Sequence, residues 1–428
     1  MLPIPVDLPG WLAYIEGRHS RPIALGLERL LEVKQRLGQE KRCPVILVGG
    51  TNGKGSTCAM LESILLAAGY RVGLYTSPHL LRYNERVRIN GKPVDDAALC
   101  AGFAKVEAAR AETPLTYFEF GTLAAWETFA QAGLDVVIME VGLGGRLDAV
   151  NIYEPDCAIV TTVDMDHMDF LGDTREKIGV EKAGIFRVGV PAICGDAEPP
   201  QSLMDHAATA GARLAVLGKD FGYLRQELQW QYWGLQDGTV SKRSGLAFPG
   251  LRGGNQLQNA SVAIAALDAL KDKLPVAMQD IRRGLIEVEL TGRFQVLPGQ
   301  PTIVLDVAHN PQAARVLADN LGNMAFHPET YAVFGMLRDK DMAAVAAALK
   351  SRVTRWLPCT LPGPRGATAA ELAAVLESAG IPGPHVCFDN PAAALAYARE
   401  QAGEGDRIAA FGSFLTVADV ISALGRDA

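Results

Sequence analysis

The sequence predicts an α/β protein of two domains, a larger N-terminal one on a parallel-rich sheet and a smaller, Rossmann-like one after it. Three observations carry this. The chain has 428 residues, more than a single hydrophobic core usually serves, so two or three domains are expected. Short β-rich runs alternate with helical segments from about residue 44 onward, which implies a parallel sheet covered on both faces. That alternation breaks at Thr291-Gly292-Arg293 and Pro298-Gly299 and then starts afresh, which places domains at 1–294 and 295–428.

In chain order, 45–48 reads as a buried strand, followed by a glycine-rich turn and a helix from 56 or 57 to just before Gly69. Further strands are expected at 72–75, 135–140 and 157–162. Between them, 95–110 and 118–130 carry apolar residues at helical spacing, the second stopping at Gly133. A turn-rich stretch at 229–248 with Trp230, Tyr232 and Trp233 reads as a small antiparallel excursion, and a helix at 256–270 returns to the main body. In the second domain, strands are expected at 302–307, 331–335 and 407–411, with helices after Pro311 and Asp341. No internal repeat or low-complexity segment stands out.

Composition narrows the setting. Apolar residues make up 49% and charged residues 21%, the balance of an ordinary globular protein. A net charge of −7 argues against a broad nucleic-acid surface, which needs a basic face. The seven cysteines are scattered, with no CxxC pair, so a zinc ribbon or redox pair is not expected and a reduced, cytoplasmic compartment is. The N-terminal Met-Leu-Pro-Ile-Pro-Val-Asp has no signal-peptide character. No run of about 18 apolar residues suggests a membrane span.

The strongest local signal is Gly49-Gly50-Thr51-Asn52-Gly53-Lys54-Gly55-Ser56-Thr57, between an apolar strand and an apolar helix. Glycines let successive N–H groups turn toward a phosphate, and the helix N-terminus adds partial positive charge. Lys54 supplies a full charge. A flexible linker would not explain a lysine at this place. The spacing departs from the usual phosphate loop, since Val48 stands five residues before Gly53 and Gly55 separates Lys54 from Ser56. A second reading follows from strand placement: Glu140 ends an apolar run, where a carboxylate emerges at the C-terminal edge of a parallel sheet beside the loop. That position suits a metal ligand, and a strand-end ion pair is its ordinary alternative. Gly142-Leu143-Gly144-Gly145 lacks the spacing of a dinucleotide fingerprint.

The variant loop resembles that of the Mur ligase superfamily and, within it, the folylpolyglutamate and dihydrofolate synthases. Further motifs follow in order: Thr76-Ser77-Pro78-His79-Leu80, Glu85-Arg86-Val87-Arg88, Phe118-Glu119-Phe120-Gly121-Thr122, and Glu140-Val141-Gly142-Leu143-Gly144-Gly145-Arg146-Leu147-Asp148. Asp166-His167, Glu181-Lys182, Asn255-Gln256-Leu257-Gln258-Asn259, Gly292-Arg293, Asp306-Val307-Ala308-His309-Asn310 and Gly412-Ser413 complete the set. The resemblance implies a Mur-ligase-like, phosphate-loop ATPase domain followed by a ligase domain.

It also implies roles. ATP would be held by Gly50, Thr51, Asn52, Gly53, Lys54, Gly55, Ser56 and Thr57, with Gln256, Asn259, Arg293 and Asp306. Two Mg²⁺ ions would be held by Ser77, Glu140, His167 and a carbamylated Lys182. Generic phosphate-loop logic nominates Ser56 rather than Ser77, and both stay open. Ser77, Pro78, His79, Arg82, Glu85, Arg86, Phe118 and Thr122 would meet a pterin or folate, and His309 and Ser413 the glutamate. Lys54, Glu140, His167, Lys182, Asp306 and His309 would form the catalytic set, with His309 a proton acceptor. Helix capping, loop bracing or plain solvation is the ordinary reading of most of these side chains taken singly.

The implied reaction is ATP-dependent joining of L-glutamate to dihydropteroate and to the γ-carboxylate of tetrahydrofolates. A free carboxylate is a poor electrophile, so it would first take the γ-phosphoryl of ATP. The resulting acyl phosphate needs protection from water, which gives a reason for two domains. The expected partners are small molecules, and nothing calls for more than a monomer. A polyglutamylase alone, another Mur-type amino-acid ligase and a nucleotide-dependent switch are the alternatives. The phosphate loop begins by residue 50, which leaves no room for the extra N-terminal domain of cell-wall Mur enzymes, and the guanine-selecting Asn-Lys-x-Asp is absent.

Overall fold

The computed structural model describes residues 4–19, 24–236 and 238–426. The first three residues of the N-terminal stretch read above therefore lie outside it. The chain divides into two compact units: Met1–Gly250 with Leu257–Val288, and Leu251–Gln256 with Glu289–Ala428.

The first unit is built on eight strands: β1 (Val45–Gly49), β2 (Val72–Tyr75), β3 (Val87–Ile89), β4 (Lys92–Pro93), β5 (Val136–Glu140), β6 (Cys157–Val160), β7 (Pro191–Cys194) and β8 (Arg213–Val216). Their order is β4-β3-β2-β5-β1-β6-β7-β8. All neighbours pair in parallel except β2–β3 and β3–β4. The central strands β1, β5 and β6 are buried along their whole length, which is why they read as continuous apolar runs rather than alternating ones. Strand order reverses at β1, whose neighbours β5 and β6 come later in the chain. Such a reversal opens a crevice at the C-terminal edge, where ligands of open α/β sheets bind.

The helix Lys54–Ala67 crosses behind this edge and buries nine of its residues. Gly284, on the helix Met278–Glu287, packs against it so closely that an added Cβ would stand 2.4 Å from the Ile64 Cα. The helix Tyr117–Gln131 starts at a capping box, with the Thr116 N–H donating to the Glu119 carboxylate at 2.8 Å and the Glu119 N–H to Thr116 Oγ1 at 3.3 Å. Arg29 then pairs with that carboxylate at 2.6 Å. Two N-terminal helices for which the sequence reading had no expectation, Leu8–Glu16 and Glu28–Leu37, add Trp11, Ile15, Leu30 and Val33 to the core. The antiparallel excursion is a three-stranded sheet, β9 (Phe221–Arg225), β10 (Trp230–Gln236) and β11 (Thr239–Leu246), beginning earlier than expected.

The second unit holds β12 (Gln295–Leu297), β13 (Thr302–Leu305), β14 (Thr330–Phe334), β15 (Arg355–Pro358) and β16 (Arg407–Phe411), in the order β12-β13-β16-β14-β15. Only β12 runs antiparallel to its neighbour. Its core gathers Phe334, Trp356 and Phe411 with the apolar faces of the flanking helices. No helix among the described residues is long and apolar enough to cross a membrane.

Candidate active site

The loop after β1 is shaped by contacts to the end of β6. The Thr51 N–H donates to Thr162 O at 2.8 Å, and Thr51 Oγ1 donates to Asp164 O at 3.0 Å. Thr161 Oγ1 donates to Asn52 O at 2.6 Å, and the Asn52 N–H donates to Thr162 Oγ1 at 3.1 Å. Lys54 Nζ folds back onto the loop carbonyls Gly50 O at 3.0 Å and Thr51 O at 3.2 Å. The helix begins at Lys54, earlier than the expected 56 or 57, with Gly53 at φ 88° as its cap. Asn259 Oδ1 would stand 2.6 Å from a Cβ at Gly53. Ser56 and Thr57 are buried in the first turn, and among the described residues the Thr57 hydroxyl has no hydrogen-bond partner.

An orphaned hydroxyl, a lysine among backbone carbonyls and glycine-only geometry fit a loop built for phosphates. Gly50 is the tightest point: at φ 136°, an added Cβ would lie 1.9 Å from Thr161 Oγ1. Gly50→Ala is therefore expected to displace the loop, lowering ATP-dependent turnover at least ~100-fold and the melting temperature by several degrees. Steady-state rates and thermal unfolding of the variant check this.

Beside the loop, Glu140 ends β5 at 4% exposure, and one of its oxygens accepts the Ser77 N–H at 3.1 Å. The bond joins the ends of neighbouring strands, because Ser77 lies two residues beyond β2. Lys182 lies in the helix Arg175–Ala183, on which a lysine would ordinarily be solvated, yet it is only 3% exposed. Burial, and then the charge of Lys54, push its amine down to about 7, against the pull of Asp166 and Asp148. His167 sits at φ 51° with Nε2 4.0 Å from the Asp166 carboxylate. Among the described residues no cluster of three or more His, Cys, Asp or Glu is placed to hold a metal. A carboxylate and serine hydroxyls beside a phosphate loop nevertheless fit Mg²⁺, which takes one or two carboxylates together with substrate phosphates.

The loop after β2 forms a wall of its own. The Ser77–Pro78 peptide is cis. The Glu85 carboxylate accepts the N–H groups of Leu80, Leu81 and Arg82 at 2.6–2.8 Å, so it shapes the loop with both its oxygens. Arg86 Nε donates to His79 Nδ1 at 2.8 Å. Burial and that neighbouring cation drive the imidazole down to about 4. Arg82 is exposed. The Phe118 ring lies against Gly142, where a Cβ would come within 2.7 Å of it. Thr122 Oγ1 donates to Phe118 O at 2.9 Å.

Asp148 was not singled out as a site residue. It is buried, accepts the N–H groups of Leu143 at 2.7 Å and Val150 at 3.1 Å, and is pushed up to about 6 by burial. Thr161 and Thr162 were likewise missed. The available signal was their place directly after an apolar strand.

In the second unit the loop after β13 carries Asp306 and His309. The Asp306 carboxylate accepts the N–H groups of Phe294 at 2.9 Å and Ala308 at 2.8 Å. Burial pushes it up to about 6, with Arg293 opposing. His309 Nδ1 lies 2.8 Å from Val307 O. A carbonyl cannot donate, so Nδ1 carries a proton in this contact. Ser413 caps the helix Phe414–Ala423, its hydroxyl accepting the Leu415 N–H at 3.2 Å. The Arg293 guanidinium lies 5.3 Å from the centre of the Phe414 ring. Gln256 and Asn259 are both buried.

A raised carboxyl pKa favours the fold below the unfolded value of 3.8, and that contribution is lost as pH rises through about 6. Asparagine does not titrate. The melting temperature of Asp306→Asn minus that of the parent is therefore expected to be more positive at pH 8 than at pH 4. Thermal scans across that range check the slope, and a pH-independent difference contradicts it.

A phosphate loop, a carboxylate one strand away and a buried lysine at one sheet edge define a nucleotide-phosphate-binding scaffold. The sequence matches the Mur ligase middle domain over residues 48–267 and the Mur ligase glutamate ligase domain over 292–414. The dihydrofolate synthase/folylpolyglutamate synthase of Escherichia coli strain K12 is 46% identical, over 97% of this chain and 95% of its own. That of Haemophilus influenzae is 42% identical, over 96% of each. A solved Escherichia coli structure in complex with DHPP and ADP superposes with TM-score 0.93 at 45% identity, covering 99% of both chains. A bifunctional folylpolyglutamate synthase/dihydrofolate synthase with Mn, AMPPNP and L-glutamate bound superposes with TM-score 0.91 at 45% identity, covering 99% of this chain and 100% of its own. The chain belongs to the dihydrofolate synthase/folylpolyglutamate synthase family of Mur ligases.

Proposed function

We propose that the protein joins L-glutamate to dihydropteroate and to the γ-carboxylate of tetrahydrofolates, consuming ATP and releasing ADP and phosphate. The observation that carries this reading is the convergence of the Lys54 loop, the Glu140–Ser77 contact and buried Lys182 at one sheet edge. Relatives at 46% and 42% identity that bear both activities in their names support it.

The residues divide the work as follows. Residues 50–57 wrap the phosphates of ATP, with Gln256, Asn259, Arg293 and Asp306 assigned to the rest of the nucleotide. The Lys54 ammonium offsets charge on the transferring phosphoryl group, which is mostly a matter of position and electrostatics. Glu140, Ser77 and His167 are the residues that would hold Mg²⁺. When bound, the metal offsets the charge of the phosphate oxygens. A Lys182 amine brought down to about 7 is neutral often enough near neutral pH to add to carbon dioxide. Its nitrogen lone pair bonds to the carbon and a proton is released, which turns a cation into an oxygen donor.

The acceptor's carboxylate oxygen attacks the γ-phosphorus, ADP leaves, and an acyl phosphate forms. The glutamate amine then attacks the carbonyl carbon. The tetrahedral intermediate expels phosphate, and the amine's proton passes to a base, for which His309 Nε2 is our assignment. Ser413 is assigned to glutamate, and His79, Arg82, Arg86, Phe118 and Thr122 to the pterin or folate. We further read the metal as two Mg²⁺ ions and the protein as a cytoplasmic monomer, in keeping with seven free cysteines.

Mass spectrometry of the products tests the reading. Incubation with ATP, Mg²⁺ and glutamate is expected to add glutamyl groups to both acceptors. Extension of tetrahydrofolate alone would reduce the assignment to a polyglutamylase, and extension of neither would end it.

A further inference from the structure

Arg86 is held in an unusual way for a half-buried cation. Its Nε donates to His79 Nδ1 at 2.8 Å, so its fixed partner is a neutral imidazole rather than a carboxylate. The guanidinium lies 5.2 Å from the centre of the Tyr83 ring and 5.6 Å from that of Tyr117. Its nearest acid along the chain, Glu85, is occupied by three backbone N–H groups of the same loop. Among the described residues no carboxylate pairs with Arg86, and neither terminal nitrogen has a hydrogen-bond partner. A guanidinium keeps its charge at any working pH, and its planar fork matches a carboxylate with two parallel N–H donors. Aromatic faces and a single Nε contact orient that fork without neutralising it.

The two acceptor substrates differ in a feature that such a fork can read. Dihydropteroate carries one carboxylate, the one that reacts. A folate ends in glutamate, whose γ-carboxylate reacts while its α-carboxylate stays charged. The loop links the two positions: the Ser77 N–H meets Glu140 at 3.1 Å, and His79, two residues on, fixes Arg86. We propose that Arg86 determines specificity for glutamate-tailed acceptors by taking the α-carboxylate of the terminal glutamyl group, with Tyr83, Tyr117 and His79 as its positioning residues. This rests on the function proposed above and deepens it. Dihydropteroate offers the fork nothing, so the contribution of Arg86 is confined to the polyglutamylation reaction.

The test compares the two acceptors within one preparation of Arg86→Gln. The ratio of kcat/KM for tetrahydrofolate to that for dihydropteroate is expected to fall roughly 30-fold or more, mostly through the KM for tetrahydrofolate. Arg86→Lys, a point charge without the fork, should restore part of it. Tyr83→Leu should move the same ratio the same way by a smaller factor, and Tyr83→Phe, which keeps the aromatic face, should bring it back. The decisive arm uses a tetrahydrofolate analogue ending in γ-aminobutyrate, which has the reacting carboxylate and no other. Arg86→Gln should lose far less on this analogue than on tetrahydrofolate, and an equal loss on both would overturn the proposal. An unchanged ratio for the two natural acceptors would overturn it as well. A parent enzyme inert toward both acceptors would instead overturn the proposed function. Should the parent extend only tetrahydrofolate, the analogue arm decides.

Discussion

Replacing Lys54 by alanine is expected to lower kcat/KM for ligation by roughly 10³-fold, about 4 kcal/mol of transition-state stabilisation. The side chain is half-buried and, among the described residues, its ammonium bonds the carbonyls of Gly50 and Thr51. Those contacts brace the loop and keep the ammonium beside the backbone assigned to the phosphates. Phosphoryl transfer gives a protein little covalent chemistry to do, so a lost cation at the transferring group is felt almost entirely in rate. Removing Lys54 also removes a like charge that depresses the Lys182 amine, so Lys182 should titrate higher in the variant. The fold should survive, with a melting temperature within a few degrees of the parent, because the glycine geometry and the Thr161 and Thr162 contacts remain. A loss below about tenfold would contradict the assignment.

The second large effect is expected at Lys182. Methionine there keeps the volume and the burial but cannot carry a carboxylate, and ligation should fall at least ~100-fold. The parent should depend on carbon dioxide in a pH-directed way. An amine lowered from 10.5 to about 7 is mostly charged at pH 6 and mostly neutral at pH 8. Activation by added bicarbonate should therefore grow as pH rises through 7. The unmodified protein should also gain stability between about pH 7 and 10.5, because the unfolded chain still binds the proton there and the folded one does not. Lys182→Ala should be partly restored by a small carboxylate such as acetate occupying the space left. Full activity in Lys182→Met would remove this role.

How much of this was legible follows from how each feature is encoded. The phosphate loop is contiguous, and its glycines and lysine sit between two apolar runs, so one stretch of sequence carries it. The buried strands β1, β5 and β6 read from unbroken apolar runs for the same reason. Strands β3 and β4 are three and two residues long, too short for any period to appear. The helix Lys54–Ala67 starts before the expected 56 or 57, because Gly53, at φ 88°, caps it and lets the first turn begin at Lys54. Glu85 and Arg86 look alike in sequence as charges in a loop. The fold separates them, giving one to backbone amides and leaving the other its open fork. Asp148, Thr161 and Thr162 act through contacts to residues far along the chain or through local turns, and no spacing rule marks them. The burial of Lys182 is equally invisible, since most residues of its helix are charged and Lys182 looks like the rest.

The acceptor's own carboxylate is expected to be activated by phosphorylation before glutamate attacks. Dihydropteroate labelled with heavy oxygen in its carboxylate, incubated with ATP, Mg²⁺ and glutamate, tests it most directly. One labelled oxygen is expected in each phosphate released, carried over from the carboxylate through the acyl phosphate. Glutamate-dependent product with unlabelled phosphate would contradict the account.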